Sequence, residues 1–152
     1  MAYIDKYGVE YSDDKKTLIC ISKDIDGGYS IPDGVTEIGS YAFRTCRHLT
    51  NIIIPKSVVS IGMLAFCDCR KLKSVHLPEG VTKLGFCAFS DCNNLVSISL
   101  PRSLVDFDPS AIADLEKLQE VIVPQGEKSR FIKDIEEFGD VFASLIPLIV
   151  ER

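Results

Sequence analysis

Apolar residues recur along most of this chain on a fixed ruler of 23 residues. The first copy places them at Ile31, Val35, Ile38, Ala42, Phe43, Cys46, Leu49, Ile52 and Ile54, with Pro32 near its start and Gly39 inside it. The second repeats the set at Pro55, Val58, Ile61, Gly62, Ala65, Phe66, Cys69, Leu72, Val75 and Leu77. The third does so at Pro78, Val81, Leu84, Gly85, Ala88, Phe89, Cys92, Leu95, Ile98 and Leu100, again without insertion or deletion. A fourth copy from Pro101 keeps Leu104, Ala111, Leu118 and Val121 but sets Phe107 for Ile, Asp108 for Gly, Ile112 for Phe and Leu115 for Cys before Pro124. Such drift marks the end of an array. One unit cannot bury its own apolar side, so stacking must supply the neighbours: Phe43 is expected on Phe66, and Phe66 on Phe89, in one continuous core.

Within each unit the period changes. Ile52 and Ile54 alternate with Asn51 and Ile53, the period of two of a strand with one buried face. Proline closes that strand because it has no amide hydrogen for the ladder, and Asp33-Gly34 or Glu79-Gly80 directly after it supply a turn. Val35 to Gly39 repeats a second short extended pattern. Ala42, Phe43, Cys46 and Leu49 then follow at spacings of one, three and three, which predicts a short helix or 3₁₀ turn.

The run IP-x-GVTEIGSYAF-xx-C-xx-LTNIIIP, from Ile31 to Pro55, and its two nearly ungapped copies resemble the BspA-like leucine-rich repeats, the fifth leucine-rich repeat family. The likeness covers about residues 29–124. It implies an α/β solenoid, a right-handed leucine-rich repeat coil with a parallel strand ladder built from about four 23-residue units. Members include bacterial surface and secreted proteins, so the resemblance also implies adhesion or binding, and a cell-surface or secreted location.

Both ends depart from the ruler and read as caps within one structural domain: residues 1–28 before the repeats and 125–152 after them. Tyr7, Val9 and Tyr11, the polar run Asp13-Asp14-Lys15-Lys16, and Leu18 to Ile21 predict a β-hairpin over the first coil. At the far end Phe131, Ile135, Phe138, Phe142 and Leu145 fall at helical intervals, with Ser129 as a candidate cap, Gly139 as a break and Pro147 ending the helix before a strand at Leu148-Ile149-Val150. Relatives often finish in a similar helix and an "IVE" ending, which Ile149-Val150-Glu151 matches.

Charge narrows the function classes. The 152 residues carry a formal net charge of −5, and the repeats from 30 to 124 hold nine Lys or Arg against ten Asp or Glu, so no basic stripe exists for nucleic acid and a membrane surface is disfavoured. No run approaches 18 apolar residues, and Met1 to Lys6 lack a basic start followed by an apolar stretch, so the chain as written reads as soluble, without a signal peptide or membrane insertion.

Six cysteines raise a metal or disulfide question, Cys67-Asp68-Cys69 most of all. Cys46, Cys69 and Cys92 share one template position whose fourth occupant is Leu115, which identifies a small apolar packing site, and paired zinc knuckles are absent. Cys67 and Cys87 stand at other positions and are expected to be partly exposed. Six free thiols are predicted. His48 and His76, the only histidines, occupy different template positions and supply no metal triad. No nucleophile motif and no phosphate-binding glycine loop is present, so neither enzyme activity nor a cofactor is expected.

Outward strand positions form two columns: Ser30, Ile53, His76, Ser99 and Ile122 in one, and Asn51, Ser74, Ser97 and Glu120 in the other. Strands about 4.8 Å apart make this a face about 20 Å wide, a candidate surface for a protein or glycan ligand. The alternative is a structural spacer or self-association unit whose columns are passive and whose edges and caps pair with other copies.

Overall fold

In the computed structural model, residues 2–21 and 24–152 are described. The chain begins with an antiparallel meander, β1 (Tyr3–Ile4), β2 (Val9–Tyr11) and β3 (Thr17–Ile21), with a bulge between Glu10 and Tyr11. The hairpin expected over residues 7–21 is therefore present with a third strand added. Its turn is fastened by Asp14, whose Oδ1 accepts from the Ser12 hydroxyl and the Lys16 amide.

The coils follow. Their short strands are β4 (Gly27–Ser30), β5 (Glu37–Ile38), β6 (Leu49–Ile53), β7 (Ser60–Ile61), β8 (Ser74–His76), β9 (Lys83–Leu84), β10 (Ser97–Ser99), β11 (Asp106–Phe107) and β12 (Glu120–Val123). Even and odd strands build separate ladders. The meander, β5, β7, β9 and β11 form one seven-stranded sheet, in which β3 hands the antiparallel start over to a parallel stack. The even strands form the other ladder, β4 with β6 and β8 with β10 and β12, all in parallel register. Between β6 and β8 this second ladder is interrupted: the two strands belong to separate sheets.

A third line of bonds runs through the turns. The amides of Tyr41, Phe43 and Thr45 donate to the carbonyls of Met63, Ala65 and Cys67, and those of Leu64, Phe66 and Asp68 donate to Phe86, Ala88 and Ser90 one coil further on. Here the helix or 3₁₀ turn expected after Ala42 gives way to bends. Tyr41, Leu64 and Cys87, and Thr45, Asp68, Asp91 and Asp114, have positive φ between 51° and 63°, two left-handed residues per coil that stop any helix from propagating. Asp tolerates that conformation better than most residues, which accounts for its hold on the second of these positions. Only the drifted fourth coil, which lacks the first left-handed residue, forms a 3₁₀ turn, at Pro109–Ile112.

Repeated contacts fill the core. Phe43 stacks on Phe66 with centroids 4.9 Å apart, and Phe66 on Phe89 at 5.1 Å, spacings set by the coil rise. Cys69 and Cys92 donate their thiols to the carbonyls of Phe43 and Phe66, so the shared cysteine position both fills space and bonds to the coil before it. All six cysteines are free thiols. Cys67, expected to be partly exposed, is 8% exposed, in a bent segment whose backbone bonds to the coil before it through the Thr45 amide; Cys87 is half-buried as expected. Gly62 and Gly85 allow the closest approach: a Cβ on Gly62 would lie 2.5 Å from the Ser40 nitrogen, and one on Gly85 2.7 Å from the Met63 nitrogen. In the fourth coil Asp108 replaces that glycine, and its amide stands 3.5 Å from the Leu84 carbonyl, where Gly62 and Gly85 make bonds of 2.8 and 2.9 Å.

The carboxyl end closes the stack with α1 (Lys128–Glu137), a 3₁₀ segment at Asp140–Leu148 and β13 (Ile149–Glu151), which pairs in parallel with β12. Several details differ from the sequence expectation. Ser129 lies inside the helix. The first turn is capped from elsewhere: Glu151 Oε1 accepts from the amides of Gly126 and Lys128, 3.1 and 3.0 Å away. Gly139 breaks the helix at φ 96°, as expected, whereas Pro147 sits within the 3₁₀ segment instead of ending it. Phe131 and Ile135 are buried, with Phe131 edge-on to Phe107, but Phe138 is 50% exposed because the break turns the chain away before its side chain reaches the core.

Candidate functional site

The strand register sets the outward residues of each expected column in two pieces, Ser30 beside Ile53 on one sheet and, on the other, His76, Ser99 and Ile122 in one row and Ser74, Ser97 and Glu120 in the next, with no strand pairing from β6 to β8. The alternation arises because Tyr29, Ile52, Val75, Ile98 and Val121 point inward and are buried. Ser30, Asn51, Ile53, Ser74 and His76 are exposed, while Ser97, Ser99, Glu120 and Ile122 are half-buried. The face is thus most open toward the amino-terminal coils.

Two depressions mark it. One of about 270 Å³ lies at the interruption between β6 and β8 and is bordered by Asn51, Ile53, Ser74 and His76. A second of about 390 Å³ runs along the strand ends, where His76, Ser99 and Ile122 meet Pro78, Pro101 and Pro124. His76 borders both, so it stands at their junction. The predicted residues are therefore brought together as two adjoining hollows with hydroxyl, amide, imidazole and aliphatic groups on their walls.

The sequence reading missed the charged rim. Arg152 borders the second hollow and holds both Glu120 oxygens with its guanidinium, at 3.0 and 2.5 Å, which removes Glu120 as a free acceptor. Lys56 and Glu79 complete the rim, Glu79 fixed by the amides of Arg102 and Ser103. Arg152 had no template position to signal it, since it reaches the face only because β13 adds to β12.

Beyond the face, Asp68 is the one buried charged residue among the described ones. Burial pushes its carboxyl up, but hydrogen bonds from Arg70 and Arg47 outweigh this and leave it below its ordinary value. Burial also pushes the Cys46 thiol up to about 12. His48 pairs through Nδ1 with Asp24. Among the described residues no group of three His, Cys, Asp or Glu is arranged to hold a metal ion, and no helix is long and apolar enough to cross a membrane.

Residues 28–135 match the family model described as a BspA type leucine rich repeat region with six copies. Solved structures with the same architecture include a leucine-rich repeat protein from Eubacterium ventriosum, at a TM-score of 0.73 and 21% identity over 82% of this chain and 33% of that one. A leucine rich cell surface protein from Faecalibacterium prausnitzii aligns at a TM-score of 0.64 and 24% identity, over 81% of this chain and 39% of that one. The leucine rich repeat protein of T. pallidum gives 0.61 and 21%, over 80% and 71%. The chain thus spans between a third and two fifths of the length of the first two. No curated protein matches it.

Proposed function

We propose, for a chain that belongs to the BspA type leucine-rich repeat family, a non-catalytic binding module that presents the even-strand face to a protein or glycan. The observation that carries this reading is the gathering of unlike polar and aliphatic side chains, Asn51, Ile53, Ser74, His76 and Ser99, around two adjoining hollows on successive strands of the coil stack. Strands packed into the coil stack hold their side chains in place before binding, so little ordering entropy is lost on contact. Hydroxyl and amide groups suit hydrogen bonding to peptide or sugar, and Ile53, 55% exposed, supplies the apolar contact. A cell-surface or secreted setting is part of the proposal, supported by the name of the Faecalibacterium prausnitzii neighbour.

The test is a double variant, Ile53→Lys with His76→Lys, measured beside the unmodified chain on a panel of immobilised matrix proteins and a glycan array. Signals of the unmodified protein should fall at least tenfold with the circular dichroism melt unchanged. Binding that survives both substitutions would reject this face.

A further inference from the structure

The exposed apolar side chains of the coils concentrate on the side that carries the seven-stranded sheet. Val59, Met63, Phe86 and Val105 are 46%, 38%, 51% and 73% exposed there, whereas the even-strand columns expose one large apolar residue, Ile53. They flank the outward column of that sheet, which reads Thr17, Glu37, Ser60, Lys83 and Asp106 in register. Apolar groups collected on a regular sheet mark an interaction surface.

The charges in the column identify the partner. With β7 at the centre, Glu37 stands one strand to one side and Lys83 one strand to the other. A second copy rotated about a two-fold axis along β7, in the plane of contact, sets Glu37 against Lys83 of its mate and Lys83 against Glu37, with Ser60 on the axis. An axis along β5 would oppose Glu37 to itself, one along β9 would oppose Lys83 to itself, and an axis running across the strands would do both. Asp106, which lies 3.8 Å from Lys83 within the chain, meets only Thr17 of the mate in the favoured arrangement.

Three of the apolar residues obey the same operation, while Val105, two coils from the axis, falls outside their pairing. Val59 and Met63 belong to the central coil and meet their own copies. Phe86 lies one coil over and falls against Ser40 of the mate, at a groove of about 320 Å³ that Ser40, Gly62 and Gly85 floor and the same chain's Met63 and Phe86 flank. We infer that this chain forms a face-to-face homodimer through the outer side of the seven-stranded sheet, with Phe86 of each copy in the Ser40–Gly62 groove of the other and two reciprocal Glu37–Lys83 pairs fixing the register. The contact is isologous and closes at two copies. It uses a different side of the coil from the proposed ligand face and stands independently of that reading.

Sedimentation velocity at about 100 µM tests it, because contacts of this kind fall in the micromolar range when apolar area is modest. The unmodified chain should sediment at twice its mass of 16.8 kDa. Phe86→Asp should sediment as a monomer, and Glu37→Lys or Lys83→Glu alone should weaken the dimer at least tenfold. The double reversal, Glu37→Lys with Lys83→Glu, should recover affinity to within about threefold, a result that general loss of folding cannot produce. A monomeric unmodified chain overturns the inference. So does a dimer indifferent to all four variants, which would pair through sheet edges, or a double reversal that stays folded without recovering.

Discussion

In the stacked coils a residue meets its own counterpart one repeat away, Phe43 on Phe66, Phe66 on Phe89, Cys69 beside Cys92. At the two ends unlike residues meet. The amino-terminal cap is tied by Asp5, whose Oδ1 accepts from the amides of Tyr7 and Val9 while Oδ2 accepts from the Tyr29 hydroxyl, which in turn bonds to the Tyr11 hydroxyl. The carboxyl-terminal cap is tied by Glu127, which accepts from Arg102 and Arg130, with Arg130 reaching on to the Leu104 and Arg102 carbonyls. The contrast teaches how charge is accommodated. Inside, the array keeps apolar or hydrogen-bonding columns; where a coil carries a buried charge, unlike groups compensate it, as Arg47 and Arg70 do for Asp68, and the non-repeating ends gather such pairs into networks.

If that contrast holds, apolar truncation should hurt most in the array. Phe66→Ala removes the middle ring of the stack and should cost about 4 kcal/mol, while Phe138→Ala in the cap should change stability by less than about 0.5 kcal/mol. Urea melts compare them, and similar midpoints would break the distinction. A smaller but still large effect is expected at the close approach between coils. Gly62→Ala should cost about 3 kcal/mol because its Cβ has only backbone to displace, whereas Gly28→Ala, whose nearest atoms stand at 3.7 Å, should be nearly neutral. Thermal melts of both variants decide the point, with equal shifts counting against it.

Changes to the cap networks should cost less. Tyr29→Phe, which unties Asp5 and Tyr11, and Glu151→Ala, which uncaps α1, should each cost about 1 kcal/mol. Hydrogen exchange should show the loss confined to the respective end, and protection lost evenly through the coils would show that ends and array unfold as one.

The mildest test is pH. Burial raises the Cys46, Cys67 and Tyr11 pKa values, and burial followed by the Asp5 bond raises that of Tyr29. The native state therefore holds protons that the unfolded chain releases. Stability from these groups is complete below their ordinary values of 9.0 and 10.0 and declines as pH rises beyond them. Glu127 is lowered, first by the Arg130 hydrogen bond, so its contribution is present above its ordinary 4.5 and lost as pH falls below it. A melting-temperature profile from pH 3 to 11 should show Tyr29→Phe flattening the alkaline decline and Arg130→Ala the acid one. Unchanged slopes in both variants would detach the caps from the pH response.

Much of this was legible in the residues. The 23-residue ruler predicted the coil, its buried columns and the outward columns Ser30 to Ile122 and Asn51 to Glu120, because each copy reports the same environment and random drift is averaged out. The alternation of Gly34, Ser57, Gly80, Ser103 and Gly126 was readable but unread: Ser57 and Ser103 hydroxyls each accept from the glycine amide of the neighbouring coil, Gly34 and Gly80. The bends that replaced the expected helix were signalled only faintly, by Asp at 68, 91 and 114.

By itself the sequence determined the period, the residues facing inward and the identity of the columns, since those follow from local spacing repeated in register. Tertiary structure alone decided that Glu151 caps a helix begun 23 residues earlier, that Arg152 rather than a ligand occupies Glu120, that the even ladder opens between β6 and β8, and that Val59, Met63 and Phe86 share one exposed side. The two cap contacts depend on distances between segments that no repeat relates, set by how the last coil, the helix and the final strand close on one another; the opened ladder and the shared exposed side depend on how successive coils settle against each other in space, which spacing along the chain does not fix.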